Sequence, residues 1–330
     1  MRKLLLSTVA ATALMTGVAA AEEVKIGVIL GFTGPIESLT PAMAASAEMA
    51  MKEVSDSGKL LGGSTVTSVR GDSTCVDSAA ATAAAERLVT SDKVNAIMGA
   101  DCSGVTGAIL QNVARANGVV MISPSATSPA LSDAEDDGLF FRTAPSDARQ
   151  GQVLAEILKE KGVKSAALTY TNNDYGKGLA ESIKSNFESM GGKVTISAAH
   201  EDGKGDYSAE VGALAQAGGD VLIVAGYLDQ GGKGVIQTAL DTGAFDTFVL
   251  PDGMIGDSLP LSIGVGLNGS YGTVPGTDRK GADIFKEMAV KAGVKADAFS
   301  AESYDAAALI LLALQAAKSY KSADLKGKVM

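Results

Sequence analysis

VKIGVIL, Val24 to Leu30, is short, nearly all apolar, and followed at once by the turn sequence GFTGP. Such a run reads as a β-strand buried on both faces, because only helices packed on either side can cover side chains pointing both ways. A helical pattern follows over 41–55, then a strand over 66–70 and a helix over 78–91. VNAIMGA (94–100) gives a further strand, Ser103 to Ala116 a helix, and VVMISP (119–124) another strand. The alternation βαβαβαβ implies a parallel sheet with helices on both faces.

The pattern restarts after FRTAPSD, Phe140 to Asp147. Helices are expected over 150–161, 175–190, 208–217 and 234–242. They are separated by the strands SAALTY, KVTISAA, DVLIVAG and TFVLPDG. GSYGTVPG (269–276) reads as a passage back to the first unit, rejoined by helices that start near Ala282 and Tyr304. The expected fold is α/β: two doubly wound parallel-sheet lobes, joined by more than one crossover, with a cleft between them. The first lobe takes 22–143 and 274–330, the second 144–273. Ligands of such sheets sit beyond the carboxyl ends of the strands. The loops after Leu30, Ala100, Ser123, Tyr170, Ala225 and Leu250 should therefore face the cleft.

The leader has its own pattern. Arg2 and Lys3 precede an apolar run from Leu4 to Val18, and Ala19 and Ala21 form an A-x-A site before Glu22. This is the pattern of a secretory signal peptide, with cleavage expected after Ala21 and function in the periplasm; the alternative reading is an uncleaved N-terminal anchor. The formal charge is −10; without Arg2 and Lys3, 26 basic side chains face 38 acidic ones, or −12. That excludes a nucleic-acid surface, which needs a basic footprint. Cys75 and Cys102 are the two cysteines. In an oxidising compartment they can pair, worth roughly 3–4 kcal/mol, or stay as two buried thiols. Two cysteines and one histidine lack the clustering a metal site needs, so no metal or cofactor is expected. That histidine, His200, lies in the polar stretch HEDGKGDYS and is expected at the surface.

The cleft-facing loops carry a consistent set of groups. DCSG supplies Asp101, Cys102 and Ser103, and SPSATSP supplies Ser123, Ser125 and Thr127; both lead into helix starts. Hydroxyls and free N–H groups there can hold a carboxylate, or can simply cap the helix. On the other side stand Tyr175, Tyr227 and Asp252. A carboxylate can hold an ammonium group and tyrosines can give apolar walls with polar tips. Catalytic patterns are poor: NGSYG has Asn268 where a nucleophile elbow needs glycine.

Taken together, KIGVILGFTGP, SDSGKLLGG with DSTCVDS, IMGADCSG, MISPSATSPAL, FRTAPSD, NNDYGKGLA and SYDAAALI occur in an order that resembles a known family. It is that of the type I periplasmic solute-binding proteins of ABC importers, in the branched-chain amino-acid (Leu/Ile/Val-binding) group. The resemblance runs from Val24 to about Ala317. It implies two lobes with three crossovers that close on a ligand by hinge bending, and a chain that continues beyond Met330. It implies a Cys75–Cys102 disulfide. It gives Ser103, Ser125 (through its backbone) and Thr127 to the ligand α-carboxylate, with Ala126 beside them. It sets Asp252 against the α-ammonium, and Tyr175 and Tyr227 along the opposite lobe. Three positions depart from the pattern: Leu39 where an aromatic wall is common, Asp101 where leucine binders carry an apolar residue, and Glu302 before SYDA. An acid beside the side-chain pocket would favour a polar or cationic ligand, unless it caps a neighbouring element.

The function this implies is a monomeric extracytoplasmic receptor, not an enzyme. It would capture an amino acid or related small zwitterion and deliver it to membrane permease subunits. The alternatives are a ligand-sensing protein that docks onto a signalling receptor, and an exported hydrolase.

Overall fold

The computed structural model describes residues 22–276 and 280–329, so the leader and its cleavage site lie outside the described residues. The first sheet holds β1 (Val24–Leu30), β2 (Val66–Asp72), β3 (Ala96–Gly99), β4 (Met121–Ser123) and β5 (Phe140–Arg142) in the order β2-β1-β3-β4-β5, all parallel. The second holds β6 (Ser165–Thr171), β7 (Lys193–His200), β8 (Val221–Ala225), β9 (Phe248–Leu250) and β10 (Tyr271–Gly272). Its order is β7-β6-β8-β9-β10, again parallel. The two sheets thus share one topology. Each turns its strand order around between its first and third strands, and such a switch point opens a crevice at the carboxyl edge.

The helices explain why these strands are so apolar. In the first half they are α1 (Thr40–Asp56), α2 (Ser78–Thr90), α3 (Ser103–Ile109), α4 (Arg115–Asn117) and α5 (Asp147–Glu160). The rest are α6 (Asp174–Ser189), α7 (Ser208–Ala217), α8 (Gly231–Thr242), α9 (Ser258–Ile263), α10 (Lys280–Ala292) and α11 (Ser300–Ala317). With α1 and α2 packed on it, β1 buries Val24, Ile26, Val28, Ile29 and Leu30 completely. The apolar α11 returns from the end of the chain to lie on α1, β3 and β4. A rejoining C-terminal helix therefore completes the first unit.

Three local readings change. The helix expected over 103–116 carries a π-turn, Leu110–Ala114, between α3 and α4. GSYGTVPG adds β10 to the second sheet before the chain crosses back. His200 is not at the surface: β7 runs one residue further than expected and carries it inside, where it is 1 % exposed. Its Nδ1 lies 2.8 Å from Thr169 Oγ1 and its ring meets Tyr207 edge-on. Burial lowers its pKa to about 4, so it is neutral at pH 7. Among the described residues no helix is long and apolar enough to cross a membrane.

Candidate functional site

The carboxyl edges of the two sheets face each other and the lobes touch across the gap. On one side Ser38 N donates to Asp229 Oδ2 (2.9 Å), Asp229 N donates to Pro35 O (3.1 Å), and Ser38 Oγ donates to Ser258 Oγ (3.2 Å). On the other, α6 meets the 128–129 turn so closely that a Cβ on Gly178 would stand 2.8 Å from Pro129 Cδ. Between these contacts lies a closed cavity of about 20 Å³ lined by both lobes. That is room for about one water, so a larger ligand needs the lobes to part.

From the first lobe come Ile36, Leu39, Asp101, Cys102, Ser103, Ser125 and Phe299; from the second, Tyr175, Tyr227, Asp252 and Gly253. Of the residues singled out in the sequence, seven therefore converge: Leu39, Asp101, Ser103, Ser125, Tyr175, Tyr227 and Asp252. Ala126 and Thr127 are buried immediately behind Ser125. Glu302 stands apart. It lies in the first turn of α11, outside the cavity lining, and its carbonyl accepts from Thr143 Oγ1.

The hydroxyl side is a folded loop held by its own backbone. Ser123 Oγ donates to Ala100 O and accepts from Ala126 N at 2.9 Å, with a longer contact to Ser125 N at 3.3 Å. Ser125 Oγ donates to Asp101 O. Arg142, at the end of β5, donates to the carbonyls of Ala126 and Ser128 and fixes the loop from behind. Ser103 Oγ accepts from Ser128 N, which leaves its own hydrogen to give. Thr127 Oγ1 is buried with no hydrogen-bond partner among the described residues. A disulfide joins Cys75 to Cys102 and ties the start of α3 to the loop before α2.

Asp101 is 1 % exposed and fully engaged within its own lobe. Oδ2 accepts from Gly31 N at 2.6 Å, and Oδ1 accepts from Ser73 Oγ at 2.9 Å. Gly31 begins the loop that carries Ile36 and Leu39, and Ser73 precedes the disulfide. The carboxylate therefore clasps three loops. Burial raises its pKa, and these donors, with the N–H of Cys102, pull it back.

The second lobe is built differently. Asn173 caps α6, its side chain accepting from Gly176 N, and so sets Tyr175 in the first turn. Tyr175 and Tyr227 stack with ring centroids 5.1 Å apart. Burial and neighbouring acids push both phenols well above their usual range, so they remain donors. Tyr175 Oη donates to Asp252 Oδ1 at 2.8 Å and accepts from Gly253 N at 3.1 Å. Residue 253 must be glycine, because a Cβ there would stand 2.5 Å from Gly226 O and 2.7 Å from Tyr175 Oη. Asp252 is 2 % exposed, and burial raises its pKa to about 6 against the hydrogen bonds from Tyr175 and Gly253. Beside it Asp147, in the first turn of α5, is 1 % exposed and its pKa lies well above the usual carboxylate range, through burial and the charge of Asp252.

Ile36, Phe299, Gly253 and Asp147 were not foreseen as parts of the site. Phe299 reaches it from a left-handed backbone turn (φ 62°) before α11, for which nothing in the local sequence asks. Asp147 closes FRTAPSD, a stretch legible only as the boundary between the units.

Two lobes of one topology, joined by chain that passes back and forth between them and closed over a small two-sided cavity, define a two-lobed solute-binding protein. The chain belongs to the periplasmic binding protein family, whose model, described as "Periplasmic binding protein", matches residues 23–328. It is 31 % identical over 327 residues to Leu/Ile/Val-binding protein homolog 1 of Brucella abortus (strain 2308), covering 97 % of this chain and 85 % of that one. It is 28 % identical to a leucine-, isoleucine-, valine-, threonine- and alanine-binding protein of Pseudomonas aeruginosa, over 89 % of this chain and 75 % of that one. In fold it is similar to a leucine-binding protein of Thermotoga maritima (TM-score 0.81, 24 % identity, 93 % of this chain and 87 % of that one). It is equally similar to a solute-binding protein of Rhodopseudomonas palustris in complex with benzoate (TM-score 0.80, 20 % identity, 93 % and 85 %).

Proposed function

We propose that this protein is the extracytoplasmic receptor of an ABC importer and captures a small amino acid with an apolar side chain. Its hinge would close on the ligand and present it to the membrane permease, without catalysis, after export through the cleaved leader. The lobes would be 22–143 with 274–330, and 144–273. The observation that carries the reading is the asymmetry of the cavity. Ser103 offers a hydroxyl hydrogen on one side, while on the other Asp252 is a buried acid with no ion-pair partner among the described residues. An α-carboxylate and an α-ammonium are the complement of that pair. Ile36, Leu39 and Phe299 offer an apolar wall to the side chain. Asp101, although it borders the cavity, has its oxygens taken by Gly31 and Ser73, which supports a clasp rather than a contact for a cationic side chain. The names of the sequence relatives, which bind leucine, isoleucine, valine, threonine and alanine, support the same class.

The test is thermal unfolding against a panel of amino acids, their deaminated acids, benzoate, and arginine and lysine. A ligand that binds only the folded state raises the midpoint by mass action. Shifts with aliphatic amino acids are expected. Shifts confined to arginine and lysine, or to carboxylates without an amine, would overturn the reading.

A further inference from the structure

Behind the cavity, where the two lobes join, lies a group of polar atoms short of donors. Both carboxylate oxygens of Asp147, Oε1 of Gln150 and Oγ1 of Thr127 are buried without a well-formed hydrogen bond among the described residues. Three of these four are pure acceptors. The Thr127 hydroxyl is the one donor that stands near Asp147, and it offsets the burial only in part. A carboxylate left this way in a dry site is costly unless a cation or a proton reaches it. No described cation does. Arg142 is the nearest, and its guanidinium is spent on Ala126 O, Ser128 O and Ser132 Oγ, so its charge only partly offsets the cost. Asp252 adds a second buried negative charge close by: Gln150, one turn on from Asp147, donates to Thr273 Oγ1 at 3.1 Å, and Thr273 N donates to the carbonyl of Leu250, two residues before Asp252. That charge raises Asp147 further.

The other titratable groups facing this place are Tyr175 from α6, which donates to Asp252, Tyr227 after β8, and Asp101 after β3. The tyrosines stay protonated and Asp101 is clasped in its own lobe. Asp147 and Asp252 are therefore the carboxyls here that burial and each other's charge hold above the usual range. Two acids so placed titrate as a unit, and the low dielectric that penalises two charges is relieved by one proton.

We propose that Asp147 and Asp252 share one proton in the ligand-free cleft, and that capture of an ammonium-bearing ligand expels it. This rests on the proposed amino-acid function and deepens it. In the free protein the pair carries one negative charge and one carboxyl O–H. When the ligand's ammonium enters, its positive charge takes over the compensating role, the O–H bond breaks, and the proton passes to buffer. The ligand keeps all of its own protons. Ligand affinity and proton concentration are then linked: below the pair's titration range each rise of one pH unit tightens binding by up to about tenfold, and above it the dependence vanishes. The receptor would bind its amino acid more weakly in acid than an isolated Asp252 would.

The test is isothermal titration calorimetry of the mature protein with L-leucine, L-valine and L-alanine at pH 6 and pH 8. Each is run in two buffers of different ionisation enthalpy, so that the buffer dependence counts protons. Release of about one proton at pH 6, falling towards zero at pH 8, is expected for wild type. In Asp147→Asn the release at pH 6 should fall to about half a proton, the share of Asp252 titrating alone near 6, while binding persists. If that variant does not fold, the wild-type count still decides. Binding with no proton exchange at either pH would overturn the shared proton and leave the amino-acid reading standing. Undiminished release in a folded Asp147→Asn would likewise overturn the pair. Binding of none of the three amino acids would overturn both readings.

Discussion

Asp101 and Asp252 sit on opposite lips of the same cavity, equally buried, at the carboxyl ends of strands in two sheets of identical topology. One is saturated by donors from its own lobe, Gly31 N and Ser73 Oγ. The other leans on a tyrosine hydroxyl and has an unpartnered acid, Asp147, for a neighbour. The difference separates two uses of a buried acid. Where the fold supplies the donors, the acid holds loops together. Where it does not, the compensating charge must come from outside, and the ligand can supply it.

The largest effect should come from breaking the second case. Asp252→Ala should weaken binding of an aliphatic amino acid by about 3–5 kcal/mol, because it strands an ammonium in a dry cleft. Its thermal midpoint without ligand should not fall. Calorimetric affinities beside a melting curve check both halves.

Asp101→Ala should do the reverse. It leaves Gly31 N–H and the Ser73 hydroxyl buried without an acceptor, at roughly 2–4 kcal/mol of folding stability for two unsatisfied groups. At saturating ligand the folded variant should still prefer the same amino acids. Denaturant unfolding and a competition panel would show it, and a new preference for polar ligands would place Asp101 in direct contact with the side chain instead.

The pH dependence of stability carries the same contrast. The folded pKa of Asp252, about 6, lies above its unfolded value of 3.8. Its contribution is therefore fully present below the unfolded value and is lost as pH rises through about 6. The loss is on the order of 2–3 kcal/mol. Ligand-free Asp252→Asn should accordingly gain stability relative to wild type between pH 4 and pH 7, as read from urea midpoints at each pH.

A smaller effect is expected at the rim. Gly178→Val would push α6 against Pro129 and oppose closure. A ligand that needs both lobes then binds a less populated state, and affinity should drop about tenfold, with little change in the ligand-free melting curve. Small-angle scattering with and without ligand would show the closed population shrink.

How much of this was legible in the sequence follows from where each signal lives. The strands carry theirs locally: VKIGVIL and DVLIVAG are almost wholly apolar because helices cover both faces, so eight of the ten strands could be read. The two missed, β5 and β10, are sheet edges of three and two residues, too short for such a run. The cleft-facing loops could be placed once the strand ends were, which is why Ser103, Ser125, Tyr175, Tyr227 and Asp252 could be set at the cavity's edge. Contacts between distant segments carry no local signal. Nothing near Asp101 announces that Gly31 and Ser73 will fold over it. Phe299 depends on a backbone turn that brings α11 home, and Asp147 matters only because Asp252 arrives beside it from 105 residues further along. His200 was misjudged for the same reason: its polar neighbours describe the loop after it, while the Thr169 side chain that receives it lies on the adjacent strand.

The most direct test compares an amino acid with its own deaminated twin. Affinities of L-leucine and 4-methylpentanoate, which differ only in the amine, would be measured for wild type and for Asp252→Asn. The account predicts that wild type prefers leucine by at least about a hundredfold, and that the variant loses most of that preference. A preference that survives in Asp252→Asn, or a wild type that binds both alike, would contradict the claim that the uncompensated acid of the second lobe selects the ligand.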